Sequence, residues 1–256
     1  MTPIWTLCPA DGKIVCHHQK EATAISDTLP PPSSASWHMP RRPALIGSAL
    51  CWAGFALVAW LMSNGLTQTI DHAGLLLSRD SGLQPSGPPF LLEAVRDITA
   101  LGGTTLRLLA AAFGITVLLM LGRRRPALFL GVAMIGGLLV NTAFKHIYAR
   151  PRPDFLDHLT NAGGTSFPSG HSFGAITILL ALALVACGFA NRSTSRCLLL
   201  GAALVLGLCV AWSRVWLGVH YPSDVLAGWL GGIGWTLLVA AFIPPAGDPG
   251  RSRLAE

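Results

Sequence analysis

Charge is scarce in this chain. Charged residues make up 12% of its 256, whereas a soluble domain carries about a quarter. That shortage argues against an ordinary water-soluble globule. The six cysteines form neither a disulfide framework nor a zinc signature. Cys51, Cys187 and Cys209 lie inside apolar runs and Cys197 begins one, where cysteine behaves as a small apolar residue. Cys8, Cys16, His17 and His18 have no metal-ligand spacing and read as scattered residues of a tail, so no metal or other cofactor is expected. A cleavable signal peptide is also missing: the first apolar run starts too late and runs too long, and reads as a retained anchor. No repeat occurs at solenoid periods.

What is present is apolar sequence, 52% of the chain, with a mean hydropathy of +0.54. Uncharged runs cover Ala44–Met62, Pro126–Phe144, Ser172–Ala190, Cys197–Ser213 and Val225–Ile243. A helix needs about 20 mostly apolar residues to cross a bilayer. A sixth span over Leu101–Leu121 is interrupted by Arg107, which is expected to snorkel toward one end. The expected fold is therefore all-α and integral to the membrane, with six transmembrane helices.

Residues 1–40 are polar, with a Pro30–Ser36 stretch rich in Pro and Ser, and are expected to be a flexible extension. Met39-Pro-Arg-Arg-Pro would make a natural start, so the residues before it are expected to be dispensable. The membrane domain is assigned to 41–246 and a short tail to 247–256. The connection between the first two spans, about 63 to 100, is long and rich in Gly, Pro and Ser as far as Pro89. Beyond it, Leu91, Val95 and Ile98 share one helical face. That segment reads either as an interfacial helix or as the outer end of span 2.

Six spans place both termini on one side. That side holds eleven of the eighteen basic residues. Of the other seven, Lys145, Arg152 and Arg214 belong to polar clusters described next, leaving a contrast of eleven against four. The positive-inside rule makes the termini cytoplasmic. The net charge of +6 then reports topology and calls for no nucleic-acid partner.

Three polar clusters interrupt the apolar pattern. Lys145 is followed after six residues by Arg152-Pro153. Pro168-Ser169-Gly170-His171 opens span 4. Ser213-Arg214 is followed by His220 and Asp224. Topology puts all three on the outer face, at the ends of spans 3 to 6. Their chemistry fits a phosphate ester, whose transition state spreads charge over three equatorial oxygens and is stabilised by placed cations and N–H groups. Lys145 offers a point charge, and Arg152 and Arg214 offer guanidinium forks. Singly, Lys145 and Arg214 read as snorkelling residues; beside two histidines they read as ligands. The N-terminus of span 4 is an anion site by its free N–H groups and dipole. There Gly170 permits close approach and the Ser169 hydroxyl can donate. A plain serine cap accounts for Ser169 and Gly170 but gives His171 no task. Pro222 suits a first helical turn, which puts His220 just outside the helix and Asp224 within reach of its imidazole. An Asp on one ring nitrogen fixes the tautomer and leaves the other nitrogen nucleophilic.

Taken together and in order, Lys-x6-Arg-Pro, Pro-Ser-Gly-His and Ser-Arg-x5-His-x3-Asp resemble the signature of the type 2 phosphatidic acid phosphatase superfamily, in its bacterial membrane branch. The motifs run from Lys145 to Asp224, and the six-span plan extends the likeness over most of 42–243. The resemblance implies metal-independent hydrolysis of a lipid phosphate. In it, His220 attacks phosphorus to give a phosphohistidine, Asp224 orients it, and His171 protonates the leaving oxygen and then activates water. Lys145, Arg152, Ser169, Gly170 and Arg214 hold the phosphoryl oxygens. Undecaprenyl pyrophosphate, phosphatidylglycerol phosphate and phosphatidic acid are the substrates implied, with the polyprenyl carrier favoured by an outward-facing site in the inner membrane. Phosphotransfer to a second lipid is an alternative outcome of the same chemistry. A vanadate-dependent haloperoxidase-like enzyme is disfavoured because six spans suit a lipid. A phosphate-lipid transporter would have no use for the His220–Asp224 pair.

Overall fold

Two helix starts and one helix stop set the frame of the site. In the computed structural model, which describes residues 39–245 and the backbone of 6–7 and 14–15, helix α5 (Arg124–Tyr148) ends at Ala149 in a left-handed conformation (φ 43°). Pro151 and Pro153 then prevent the helix from resuming. Helix α6 (Gly170–Cys187) begins where the Ser169 hydroxyl accepts from the Ser172 N–H at 3.4 Å. Helix α8 (Pro222–Phe242) begins with proline at its first position, where a missing N–H costs nothing.

The other helices are α1 (Arg41–Ser63), α2 (Gln68–Leu76), α3 (Pro89–Ala100), α4 (Thr104–Met120) and α7 (Ser193–Trp216). The chain is an all-α, multi-pass membrane protein. Among the described residues, α1, α5, α6, α7 and α8 are each long and apolar enough to cross a bilayer. Helices α3 and α4 meet the same test only as a pair, joined across Leu101–Gly103 with a bend of 46°, so the described residues hold five such helices, or six spans where the bent pair counts as one. The segment carrying Leu91, Val95 and Ile98 is α3, which leads into α4 around that break, and Val95 is buried beside Trp216 and Leu217.

Arg107 corrects an expectation. It does not snorkel. Its side chain lies buried against α6, so close that a Cβ on Gly174 would fall 1.1 Å from its Nη1. The connection between spans 1 and 2 also holds more structure than its composition suggests. It contains α2, which packs on α7 and α8 and carries the fully buried Asp71.

Helix α6 is apolar all round, as a helix enclosed by others should be, and it packs against α4, α5, α7 and α8. Helix α8 meets it at backbone distance. A Cβ on Gly228 would stand 2.6 Å from the Ser169 carbonyl oxygen, and one on Gly232 would stand 2.5 Å from that of Phe173. Small residues permit this approach where apolar burial alone cannot drive helix association. Helix α1 lies along α8 on the outside of the bundle. With α5 and α7 ending where α6 and α8 begin, the polar residues at those four termini share one end of the bundle.

A two-residue antiparallel pair, β1 (Thr6–Leu7) with β2 (Ile14–Val15), occurs in the N-terminal segment. The rest of the expected 1–40 extension up to residue 38, including Cys8, Cys16, His17 and His18, lies outside the described residues, as does the tail at 247–256.

Candidate active site

The loop between α7 and α8 presents His220. Gly218 makes the turn with φ 77°, and a Cβ there would meet Leu156 Cδ1 at 2.4 Å and Arg79 Nη2 at 2.8 Å. Only glycine combines that backbone with that crowding. The imidazole is 2% exposed. Its Nε2 lies 3.1 Å from Arg152 Nη1. A guanidinium cannot accept a hydrogen bond, so Nε2 is the acceptor and the proton of the neutral ring sits on Nδ1. Nδ1 faces Asp224 Oδ2 at 3.4 Å and Ser166 Oγ at 3.3 Å. Burial pushes the His220 pKa down to about 4, against the opposing pull of Asp224. The ring is therefore neutral at physiological pH, with its lone pair directed toward a cation.

Asp224 sits in the first turn of α8 and is fully buried. Its Oδ2 accepts from the Tyr221 N–H at 2.9 Å and from the Ser166 hydroxyl. Its Oδ1 accepts from Arg150 Nη1 at 2.7 Å. Arg150 reaches in the opposite direction too, donating from Nη2 to Asp71 Oδ2 at 2.8 Å and from Nη1 to Ser223 Oγ at 2.8 Å. Asp71 in turn accepts from the Ser223 N–H at 2.9 Å and hydroxyl at 2.7 Å. The guanidinium also stacks on the Tyr221 ring, 4.0 Å from its centroid. Burial works against the Arg150 charge, but Asp224 and Asp71 outweigh it and hold its pKa above the ordinary arginine value.

The cations expected from the motifs gather around these groups. Arg152 donates to the carbonyls of Val219 (2.6 Å), Gly163 (2.8 Å) and Gly164 (3.1 Å), besides His220. Arg214 is buried with Nη1 on Thr99 Oγ1 at 2.9 Å, and its Nε has no hydrogen-bond partner among the described residues. Lys145 donates to the Thr165 carbonyl at 2.5 Å, and its Cε lies 3.7 Å from where a Gly170 Cβ would be. His171 is half-buried, packed on Gly102 at the α3–α4 break, and within electrostatic reach of Arg214, Arg107, His220 and Arg152. Ser169 is fully buried, and its oxygen accepts from the Ser172 N–H and hydroxyl. Its own N–H donates to the Asp224 carbonyl at 3.0 Å, so it ties α6 to α8.

The structure thus brings His171, His220, Asp224, Lys145, Arg152, Ser169, Gly170 and Arg214 to one end of the bundle. It adds residues that sequence reasoning missed. Arg150 stands inside the first cluster, where its neighbour Arg152 carries the motif. Ser166, Ser223 and Asp71 carried no local signal, since their roles exist only through contacts 54 to 152 residues away.

A bundle of membrane helices with a cationic, two-histidine site at one end defines a class, and comparison with known proteins specifies it. Residues 126–248 match the profile of the PAP2 superfamily. Over that stretch the chain resembles members of this superfamily. It is 38% identical to undecaprenyl-diphosphatase BcrC of Bacillus subtilis over 109 residues, 40% of this chain and 50% of that protein, so it spans only about half the length of this relative. Phosphatidylglycerophosphatase B of the same organism is 29% identical over 183 residues, covering 67% of this chain and 86% of the relative. Among solved structures, the transmembrane PAP2-type phosphatidylglycerolphosphate phosphatase from Bacillus subtilis superposes with a TM-score of 0.66 at 26% identity, covering 76% of this chain and 94% of its own.

Proposed function

We propose that this protein is a membrane lipid phosphatase that cleaves a phosphomonoester or diphosphate headgroup through a phosphohistidine. The observation that carries the reading is the Arg152–His220 contact. It leaves the Nε2 lone pair of a neutral imidazole directed at a guanidinium, with a buried carboxylate behind the opposite nitrogen. A phosphoryl group drawn to Arg152, Arg214 and Lys145 would meet that lone pair. Arg152 would keep its proton and redirect the Nη1–H hydrogen bond from His220 Nε2 to a phosphoryl oxygen, freeing Nε2 to attack. As the Nε2–P bond forms, the imidazole becomes cationic, and Asp224 stabilises it through Nδ1–H. The P–O bond to the lipid breaks, and its electron pair stays on the leaving oxygen, which takes a proton from His171. Water then gives a proton to His171 and attacks phosphorus, breaking the P–N bond and restoring His220. The chain's own residues supply every group in this sequence. Relatives named as diphosphatases and phosphatidylglycerophosphatases support a lipid substrate. By the distribution of Lys and Arg, the site faces the outer side of an inner membrane, with cytoplasmic termini.

The test is phosphate release from a panel of lipid monophosphates and diphosphates in the presence of a chelator. The wild-type protein should release phosphate. His220→Ala should release none while remaining monodisperse in detergent. Near-normal turnover by that variant would overturn the assignment.

A further inference from the structure

Arg107 is a buried cation that the reaction above does not use. It lies in the first turn of α4, 7% exposed. Its Nε donates to the Gly103 carbonyl at 3.4 Å and its Nη2 to Thr104 Oγ1 at 3.2 Å. No carboxylate among the described residues pairs with it. An unpaired charge within a membrane helix bundle is costly and marks a place where an anion belongs. The opposing helix is shaped around this guanidinium: Gly174, one turn beyond His171, is the residue on which a Cβ would collide with Nη1.

A second polar group points the same way. Asn141 on α5 is 6% exposed, and its Nδ2 has no hydrogen-bond partner among the described residues. Its Oδ1 lies 3.3 Å from the position of a Gly170 Cβ. Arg107 and Asn141 line one cavity of about 190 Å³ with Lys145, Gly170 and His171, and its wall continues to Met134 and Leu138. Leu138 is 44% exposed on the outside of the bundle. His220, Arg152 and Arg214 do not line this cavity. It therefore lies on the His171 side of the site.

Position decides what the cavity holds. In the displacement proposed above, the departing oxygen leaves opposite Nε2 and is protonated by His171, so the group attached to it occupies the His171 side. A monoester leaves an alcohol there, which calls for an apolar wall. A diphosphate leaves a lipid monophosphate, whose negative charge calls for donors and cations. We infer that Arg107 and Asn141 form a subsite for the phosphate that remains on the lipid, and so select lipid diphosphates over monophosphates. The inference rests on the phosphatase reading. In this step the Nε2–P bond forms to the terminal phosphorus and the bond from that phosphorus to the bridging oxygen breaks. The electron pair stays with the bridging oxygen, which becomes part of the lipid monophosphate held by Arg107 and Asn141. The lipid chain continues past Met134 and Leu138.

The test compares farnesyl diphosphate with farnesyl monophosphate, which share a chain and differ by one phosphate, on the full-length protein in detergent. In Arg107→Met, kcat/KM for the diphosphate should fall at least tenfold more than for the monophosphate, and Arg107→Lys should recover part of the difference. Asn141→Leu should shift the ratio in the same direction and decides the matter if Arg107→Met does not fold. Equal losses on both substrates in the folded variants would make Arg107 and Asn141 merely structural and overturn the inference. If the wild-type protein hydrolyses only the monophosphate, the subsite fails and the phosphatase reading stands. If it hydrolyses neither, nor any other lipid phosphate, both fail.

Discussion

Arg150 holds Asp224 at 2.7 Å with one guanidinium nitrogen while the other holds Asp71 at 2.8 Å. The carboxylate behind the candidate nucleophile is thereby fixed by a residue on a different helix, α2, which lies in the connection between the first two spans. Replacing Asp71 by Asn keeps the volume but turns one acceptor of Arg150 and Ser223 into a donor. Asp224 should then lose orientation without losing contact with His220. We predict about a tenfold fall in kcat, equivalent to ~1.4 kcal/mol, with KM little changed. A purely structural role would instead show as a lower melting temperature with kcat per folded molecule preserved. Asp224→Asn should cost far more, on the order of 10⁴ in kcat, as expected when the carboxylate that sets a histidine tautomer is lost.

Arg152 uses its fork to hold two loop carbonyls, the Val219 carbonyl and the His220 ring at once. Lysine would retain the charge but not that geometry. Arg152→Lys is therefore expected to lower kcat/KM by about 10- to 100-fold, the range of ~1.4 to 2.7 kcal/mol. Retention of wild-type kcat/KM by Arg152→Lys would show that charge alone suffices.

The His220 imidazole also makes stability depend on pH. Its folded pKa of about 4 lies below the ordinary value of 6.5, so the unfolded chain binds the proton first. The contribution is fully present above about pH 6.5 and is lost as pH falls toward 4. At ~1.4 kcal/mol per unit, it amounts to ~3 kcal/mol. The melting temperature of the wild type should fall over that window more steeply than that of His220→Gln, which has no proton to gain. Parallel curves would contradict the burial of a neutral ring.

Gly232 tests the packing that brings the α6 and α8 termini together. A side chain there would meet Ile176 Cγ2 at 2.4 Å and the Phe173 carbonyl oxygen at 2.5 Å. Gly232→Val should destabilise the protein by about 1–3 kcal/mol or more through overpacking, read as a lower melting temperature in detergent. An unchanged melting temperature would mean that the two helices can part at no cost.

The sequence made the long uncharged runs and the three motifs legible because both are local. Lys145, Gly170, Arg214 and Asp224 each stand where an apolar run ends, so a simple hydropathy argument places them at helix termini. The break between α3 and α4 is not legible. Gly102-Gly103 is a weak signal beside an apolar pattern, and the sequence does not reveal that His171 and Val210 leave no room for a side chain at Gly102. The place of Arg107 is hidden for a related reason: composition shows a charge near a helix end but not the notch at Gly174 that receives it. Asp71 is one of twelve acidic residues and is distinguished only by Arg150 and Ser223, far away in the chain. Pairing across helices is what single-sequence reasoning cannot see.

The central claim is a covalent bond between phosphorus and His220 Nε2. Its most direct test is to mix the protein with a lipid phosphate labelled in the transferred phosphoryl group, using His171→Ala to slow hydrolysis of the intermediate, and to quench in alkali, where phosphohistidine survives. Label should remain on the protein, map to the peptide containing His220, and disappear in His220→Ala. Label that maps elsewhere, or turnover with no labelled protein at any time point, would contradict the account.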